Sequence, residues 1–587
     1  MAKAKPGASG KAADASAGKA ARPTPAAIVG VGASAGGLEA FTQLLEGLPA
    51  NSGMGFVLVQ HLDPSHGSAL TQLLARATAM PVREVENDTR IEANCVYVIP
   101  PGANLTVAGG ILKLQRRALK RHGNRTIDQF FESLAEDQRQ RAIGIVLSGT
   151  GTDGTQGLEA IKADGGITFA QDESARYDSM PRSAIAAGVV DYVLSPHDTG
   201  AELARIARHA YVADAGAEAA PPSRPRSQNG DAAGSLPGEG LGGRDSGNGF
   251  KKVLLLLRNY SGVDFSLYKP NTIQRRIARR MLLSRHDKAD QYATFLKHNA
   301  AELDRLYADL LIGVTGFFRN PDAFELLRLK IFPTILKRRR RDDPVRLWTL
   351  GCATGQEAYS LAMVFAEAAE TFTSAPKLQI FATDLNEALL SKARSGLYSQ
   401  AAVQDISPQR LRRFFVAEEG GYRVSKAVRE QVVFARQNVL NDPPFSWLDL
   451  ISCRNLLIYL DAGLQRKIIP AFHYALKPDG FLFLGASESV GPFGDLFEPV
   501  DKKHKIYARK SALTPEGRLP MPGGIAPAAL AGMLPHPGAA AGAASHATSK
   551  AGSSAGVGAA QGAAGAQTSR AHCTARSTRS ANRTASC

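Results

Sequence analysis

Two glycine-rich turns, each leaving an apolar strand-like run and opening a helix of apolar periodicity, constrain this chain more than any other feature. The first is GASAGG at Gly32 to Gly37, preceded by AAIVGVG from Ala26, and the second is GCATG at Gly351 to Gly355, preceded by VRLWTL. A strand, a tight turn and a helix in that order are the opening unit of an open α/β sheet, whose strand ends carry ligands. Further strand-like runs alternate with helices after each turn, so the expected fold class is α/β with two doubly wound sheets. Residues 1–25, 214–250 and 512–587 are rich in small and polar residues, chiefly Ala and Gly with Lys, Pro or Ser. Such segments cannot bury enough apolar surface to offset the entropy of ordering, and they read as a basic tail, a linker and a second tail. Folded blocks are therefore expected at 26–213 and 251–511, in keeping with a length of 587 residues, which exceeds what one core serves.

The formal net charge of +16 raises nucleic acid as a partner. Much of the excess lies in the tails, however, and no zinc finger, RNP aromatic pattern or recognition helix accompanies it. An acidic protein surface or an anionic substrate fits better, with no nucleic acid. No stretch approaches the eighteen or so apolar residues of a membrane span, and the first residues lack an apolar signal core, so the expectation is a cytoplasmic protein without membrane insertion. The cysteines at 95, 352, 453, 573 and 587 form neither a CxxC nor a set with zinc spacing, which suggests a reducing compartment and no metal site.

In the first block Gly30, Gly32 and Gly36 nearly satisfy GxGxxG, the mark of a dinucleotide loop. The spacing fails by one residue, and the acid expected about twenty positions on is absent. Gly32, Ser34 and Gly36 instead satisfy GxSxG, in which a tight turn lifts a serine hydroxyl to the carboxyl edge of a sheet. GFVLVQ from Gly55 delivers His61 at its end, and RAIGIVLSG from Arg141 leads into TGTDG and Asp153. Each of the last two alone reads as a loop-capping residue. Three strand ends together supply a nucleophile, a base and an orienting carboxylate. With VQH, GTGTDG and AQDESARYDSMPRSAIAAG, residues 26–213 resemble the catalytic domain of the chemoreceptor methylesterase family (CheB). The resemblance implies that Ser34 attacks a glutamyl methyl ester, His61 takes the proton and Asp153 holds the imidazole tautomer, with glutamine deamidation a possible second activity. The phosphorylatable receiver domain usual in that family has no counterpart in the short tail ahead of the block.

The second block starts helical. In YKPNTIQRRIARRMLLSR, Ile273, Ile277 and Met281 share a stripe while Arg275, Arg276, Arg279 and Arg280 lie mostly on another, either a solvated face or a partner surface. From Pro344 strands and helices alternate. Gly351 and Gly355 let the backbone approach a ligand, Asp384 at the next strand end suits ribose hydroxyls, and Glu357 answers a cationic group. Gly-rich turn plus strand-end acid is shared with NAD enzymes, and the missing third glycine argues against a pyrophosphate. VTGFFR, GCATGQEAYS, ATDLN, SCRNLLIYL and LKPDGFLFLGASES resemble the chemoreceptor glutamate methyltransferase family (CheR) over 251–511. That resemblance implies a small helical domain (251–330), an S-adenosylmethionine-dependent Rossmann-like domain (331–511) and a small β-subdomain near 411–437. It implies cofactor contacts by Thr315, Arg319, Gly351, Glu357, Asp384, Asn438, Val439, Arg454 and Asn455, with Arg319 and Tyr459 near the transferred methyl. Gly313 stands where members often place a cofactor-touching side chain.

The whole then reads as a bifunctional enzyme that makes and hydrolyses glutamate methyl esters on the cytoplasmic methylation helices of chemoreceptors. A signalling scaffold with weakly active catalytic folds is the competing expectation. The loop AEEGG is short for gripping a receptor-tail peptide, which leaves the arginine face of residues 275–280 as the expected docking surface for acidic receptor helices.

Overall fold

A computed structural model describes residues 24–61, 70–116, 125–213, 246–340 and 342–511. Residues 1–23 of the first expected tail, the second tail, and the linker up to residue 245 lie outside the described residues. In the first block seven strands form one parallel sheet: β1 (Ile28–Ala33), β2 (Gly55–Gln60), β3 (Val82–Glu84), β4 (Cys95–Val98), β5 (Ala142–Val146), β6 (Ile167–Gln171) and β7 (Tyr192–Leu194), in the order β7-β6-β5-β1-β2-β4-β3. The central strands are apolar on both faces, as burial between two helical layers requires. Helix α1 (Gly37–Glu46) buries Phe41, Leu44 and Leu45 on one face, and α2 (Thr126–Gln138) buries Phe130, Phe131 and Leu134 on the other. Gly32 is required by that second packing, since a Cβ there would stand 2.4 Å from Ile127. A side chain on β1 would therefore drive the start of α2 away from the strand ends. Helix α3 (Thr155–Ala163) comes after the loop that leaves β5.

The helical segment begins at Ser246 and has its own core, in which Val253, Leu257, Ile277, Tyr292 and Leu306 meet. Its helix α4 (Pro270–Leu283) carries the arginine stripe, and here the expectation of a docking face is overturned. Arg279 is fully buried, donating from Nε to the Gly166 carbonyl at 3.0 Å and pairing with Asp309 at 2.6 Å and with Asp191. Arg276 is buried against the carbonyls of Lys162 and Ala163, and Arg280 pairs with Glu302 at 2.7 Å. Arg276 and Arg279 thus form an internal seam between the helical segment and the first block, where paired charges are tolerated, and Arg280 is held within the helical segment.

The second sheet holds β8 (Val345–Leu350), β9 (Leu378–Asp384), β10 (Val432–Arg436), β11 (Leu448–Cys453), β12 (Leu476–Leu484), β13 (Phe497–Asp501) and β14 (Ile506–Arg509), in the order β10-β9-β8-β11-β12-β14-β13. The first five run parallel and the last two antiparallel. Two expected boundaries shift. Phe317, Phe318 and Phe324 pack into the core of this sheet domain, so the helical domain ends before residue 330. The small antiparallel sheet comprises Leu397–Tyr398, Gly421–Val424 and Phe415–Glu418, whereas β10, placed by the sequence in that subdomain, pairs with β9 in the main sheet. The apolar run VVF completes the large sheet's edge.

Candidate active sites

In the first block the three strand-end residues converge. Strands β2, β1 and β5 are neighbours, and Ser34, His61 and Asp153 lie just past their carboxyl ends. The Ser34 hydroxyl faces His61 Nδ1 at 3.4 Å, and His61 Nε2 lies 2.7 Å from Asp153 Oδ2. Because a carboxylate only accepts, Nε2 carries the proton and the Nδ1 lone pair is turned to the serine. Gly36 adopts a left-handed φ of 77°, which ends the turn and opens α1. The Gln60 side chain donates to the Ser34 carbonyl at 3.0 Å.

Asp153 is held by the start of α2, an element the sequence did not connect to the site. Its Oδ2 also accepts from the Ile127 amide at 3.0 Å, and its Oδ1 accepts from the Asp128 amide at 2.9 Å. A helix N-terminus thus carries the orienting carboxylate. Asp128 returns the contact, with Oδ1 accepting from Gly154 at 2.9 Å and Gly157 at 2.8 Å. Burial, and then the neighbouring Asp153 charge, push the Asp128 carboxyl up to about 8. The only sequence sign was an acid in the first turn of TIDQFF, a common feature of any helix start.

In the second sheet domain, β8 empties into the Gly351–Gly355 turn and helix α5 (Gln356–Ala369), with Gly351 at φ 62° and Gly355 at φ 89°. A Cβ at Gly355 would meet Ala393 at 2.9 Å, while one at Gly351 would meet nothing nearer than Leu456 at 3.7 Å. Packing requires the glycine at 355, and the glycine at 351 leaves open space beside the turn. Asp384 ties the turn to the end of β9, accepting from Ala353 N and Asn386 N, each at 2.9 Å. Its carboxyl is raised by burial against the lowering effect of those amides.

Glu357 accepts from Ser452 Oγ at 2.6 Å and from Arg454 at 3.1 Å. Arg454 is buried, also donating to the Arg319 carbonyl and the Asn320 side chain at 2.8 Å each, and its Nε has no partner among the described residues. Asn438 is turned into its own loop, accepting from Leu440 N at 3.1 Å, while Val439 packs on the β11–β12 core. Thr315 lies on the segment that leads into Phe317 and Phe318, and Leu389 fills the space where a side chain at Gly313 would reach. Arg319 is in electrostatic reach of Tyr459, whose hydroxyl is pushed up by burial. Asn455 has φ 58°, and its amide is held at 2.9 Å by Glu488, which also accepts from Gly485 at 2.6 Å and Leu457 at 2.8 Å. Glu488 therefore shapes the loop bearing Arg454, Asn455 and Tyr459, a role that the acid of GASES did not disclose.

A serine–histidine–aspartate chain thus stands at the edge of one sheet, and a glycine turn with a strand-end acid at the edge of the other. Comparison with known families agrees. Residues 29–203 match CheB methylesterase, 248–311 the all-alpha domain of CheR methyltransferase, and 313–506 its SAM-binding domain. The chemotaxis protein methyltransferase 1 of Pseudomonas aeruginosa is 37% identical over 200 residues, covering 33% of this chain and 73% of that protein. The chemotaxis protein methyltransferase of Salmonella typhimurium is 33% identical over 252 residues, covering 41% of this chain and 83% of that protein. The chain belongs to the chemotaxis protein methyltransferase family, with a CheB methylesterase domain ahead of it, and its cofactor is S-adenosylmethionine.

An uncharacterized 104.1 kDa protein of Rhodobacter capsulatus is 38% identical over 450 residues, or 75% of this chain, yet the match spans 46% of that relative, about half its length. The Thermotoga maritima CheB catalytic domain is 28% identical with a TM-score of 0.29, covering 31% of this chain and 98% of that one.

The second-sheet residues fit the cofactor. The space beside Gly351 is open, Arg454 keeps a buried unpartnered donor, and Glu357 and Asp384 place carboxylates at the start of α5 and the end of β9. Among the described residues no helix is long and apolar enough to cross a membrane.

Proposed function

We propose that this chain writes and erases glutamate methyl esters on cytoplasmic helices of chemoreceptors, with Ser34, His61 and Asp153 as a serine-hydrolase triad. The observation that carries the reading is the hydrogen-bonded Ser34–His61–Asp153 chain on the same polypeptide as a methyltransferase of the chemotaxis family. His61 Nδ1 accepts the Ser34 proton as Oγ attacks the ester carbonyl, and Asp153 stabilises the imidazolium that forms. Backbone amides of the turn at Ala35 and Gly36, at the positive end of α1, hold the oxyanion. The carbonyl re-forms as methoxide leaves with the proton from His61, giving methanol and an acyl-serine. Water, deprotonated by His61, releases glutamate and restores the serine. The same attack on a glutamine amide would release ammonia.

S-adenosylmethionine supplies an electrophilic methyl group to the other site. A glutamate with an ordinary pKa of about 4.3 is already ionised at neutral pH, so the chain needs no general base there. Arg319 and Tyr459 align the acceptor carboxylate, Glu357 and Asp384 hold the cofactor's polar ends, and the buried surroundings exclude water. The test is to incubate the chain with purified receptor and methyl-labelled S-adenosylmethionine and to track label on receptor glutamates and in methanol. Label in both pools is expected. Label in neither, with cofactor bound, would refute the reading.

A further inference from the structure

The start of α2 carries the amides that hold Asp153, and the methyltransferase block grips that same point. Asp128 is fully buried, and its two carboxyl oxygens serve different partners. Oδ1 accepts from Gly154 and Gly157, within the esterase domain. Oδ2 meets Gln404 Nε2 at 3.5 Å and Arg125 Nε at 3.8 Å. Arg125, the residue before α2, donates from Nη2 to Glu132 at 2.8 Å and to the Gln156 side-chain oxygen at 2.6 Å, and from Nη1 to Asp405 at 3.1 Å. Gln156 closes the junction by donating to the Ala401 carbonyl at 2.5 Å.

Ala401, Gln404 and Asp405 come from one stretch of the methyltransferase block. Ser399 caps a single helical turn at Gln400–Val403, and Tyr398, Val403 and Ile406 are buried in the core of the second sheet domain. Gln404 and Asp405 are thus carried between buried anchors and presented to the esterase domain. An oxygen buried as deeply as Asp128 Oδ2 needs a partner, and among the described residues its hydrogen-bond donor is Gln404. An amide suits that place, because its NH2 donates to a carboxylate and its oxygen, turned over, accepts from a carboxylic acid.

We propose that Gln404 and Asp405 are positioning residues of the esterase, so that the methyltransferase block completes the mount of Asp153 and ester hydrolysis reaches its full rate only with the two blocks docked. This rests on the reading of Ser34, His61 and Asp153 as the hydrolytic triad. Gln404 acts on the Asp128 side chain, which holds the amide next to Asp153, and Asp405 acts on Arg125 at the lead-in to α2, whose first amides bind the Asp153 oxygens. Asp153 in turn orients the His61 ring, whose Nδ1 stands 3.4 Å from the Ser34 hydroxyl. A loosened mount therefore lowers turnover and leaves receptor binding as it was.

The experiment is methanol release from methylated receptor by the full chain carrying Gln404→Leu with Asp405→Ala. Expected is a fall in kcat of about tenfold or more, within the roughly hundredfold that a misplacement of about 1 Å can cost, with KM for receptor unchanged. Asp405→Glu, which keeps a carboxylate for Arg125, should retain most of the rate that Asp405→Ala loses. Methyl transfer, followed in the same variants with Ser34→Ala added, should match that of Ser34→Ala alone. An unchanged kcat in the double variant, where Ser34→Ala abolishes release, would overturn the proposal. So would a fall that methyl transfer shares equally, or one that Asp405→Glu reproduces in full, since either marks packing rather than positioning. Methanol release indifferent to Ser34→Ala would instead reject the triad on which the proposal rests.

Discussion

Replacing Asp153 by asparagine tests the hydrolase at its least replaceable atom. Oδ2 accepts from His61 Nε2 at 2.7 Å and from Ile127 N at 3.0 Å, and Oδ1 accepts from Asp128 N at 2.9 Å. An amide can offer only one of those positions as an acceptor. With its NH2 toward His61 it donates to Nε2, moving the ring proton to Nδ1, where it points at Ser34 and cannot accept the hydroxyl proton. It also sets two donors against each other at Ile127. With the NH2 at the other position, it meets the Asp128 amide instead. The wrong tautomer in a triad costs about 10⁴ in kcat, or about 5 kcal/mol at 1.36 kcal/mol per decade. Folding should suffer less, because one unsatisfied amide costs about 1–3 kcal/mol. The assay is methanol release from methylated receptor, with kcat and KM separated and a denaturation curve beside them. A kcat within about tenfold of wild type would refute the tautomer argument.

Asp128, pushed up to about 8 from 3.8, keeps its proton in the folded state across that window while the unfolded chain releases it, so stability is lost as pH rises from the lower value to the higher. In Asp128→Asn that loss should be smaller, as read from urea midpoints at several pH values; identical slopes would contradict the assignment. Arg279→Ala should destabilise the chain by about 3–5 kcal/mol, since buried Asp309 and Asp191 would both lose its guanidinium, leaving Asp191 only Lys162 at 3.3 Å as a cation. Denaturant titration checks it, and a change under about 1 kcal/mol would show that the seam is not needed. Asp384→Ala should weaken S-adenosylmethionine binding by about 1.5–3 kcal/mol by calorimetry and leave ester hydrolysis intact, and unchanged affinity would displace the pocket.

The strand-end residues were legible because an open parallel sheet sends its functional groups to one edge, so Ser34, His61, Asp153 and Asp384 could be found at the carboxyl ends of the apolar runs. What escaped depends on packing between elements far apart in sequence. Asp128 meets Asp153 because glycines on β1 let α2 approach, and no local pattern encodes that meeting. Glu488 gathers amides of a loop some thirty residues away, and nothing in GASES distinguishes it from a solvated acid. The arginine stripe was misread because charged residues are rarely buried. Its partners, Asp191, Asp309 and the Lys162 carbonyl, come from other elements. Strand β10 was misplaced for a related reason, since pairing with β9 rather than proximity in sequence assigns it to the large sheet.

The central claim, two opposing reactions on one receptor glutamate by one chain, is tested most directly by measuring labelled methanol formed from labelled S-adenosylmethionine in the presence of receptor. Wild type should release methanol continuously while receptor label settles at a plateau. Ser34→Ala should stop the methanol and let receptor label climb, and Asp384→Ala, at limiting cofactor, should slow both. Methanol released by Ser34→Ala at the wild-type rate, or receptor label indifferent to both substitutions, would contradict the account.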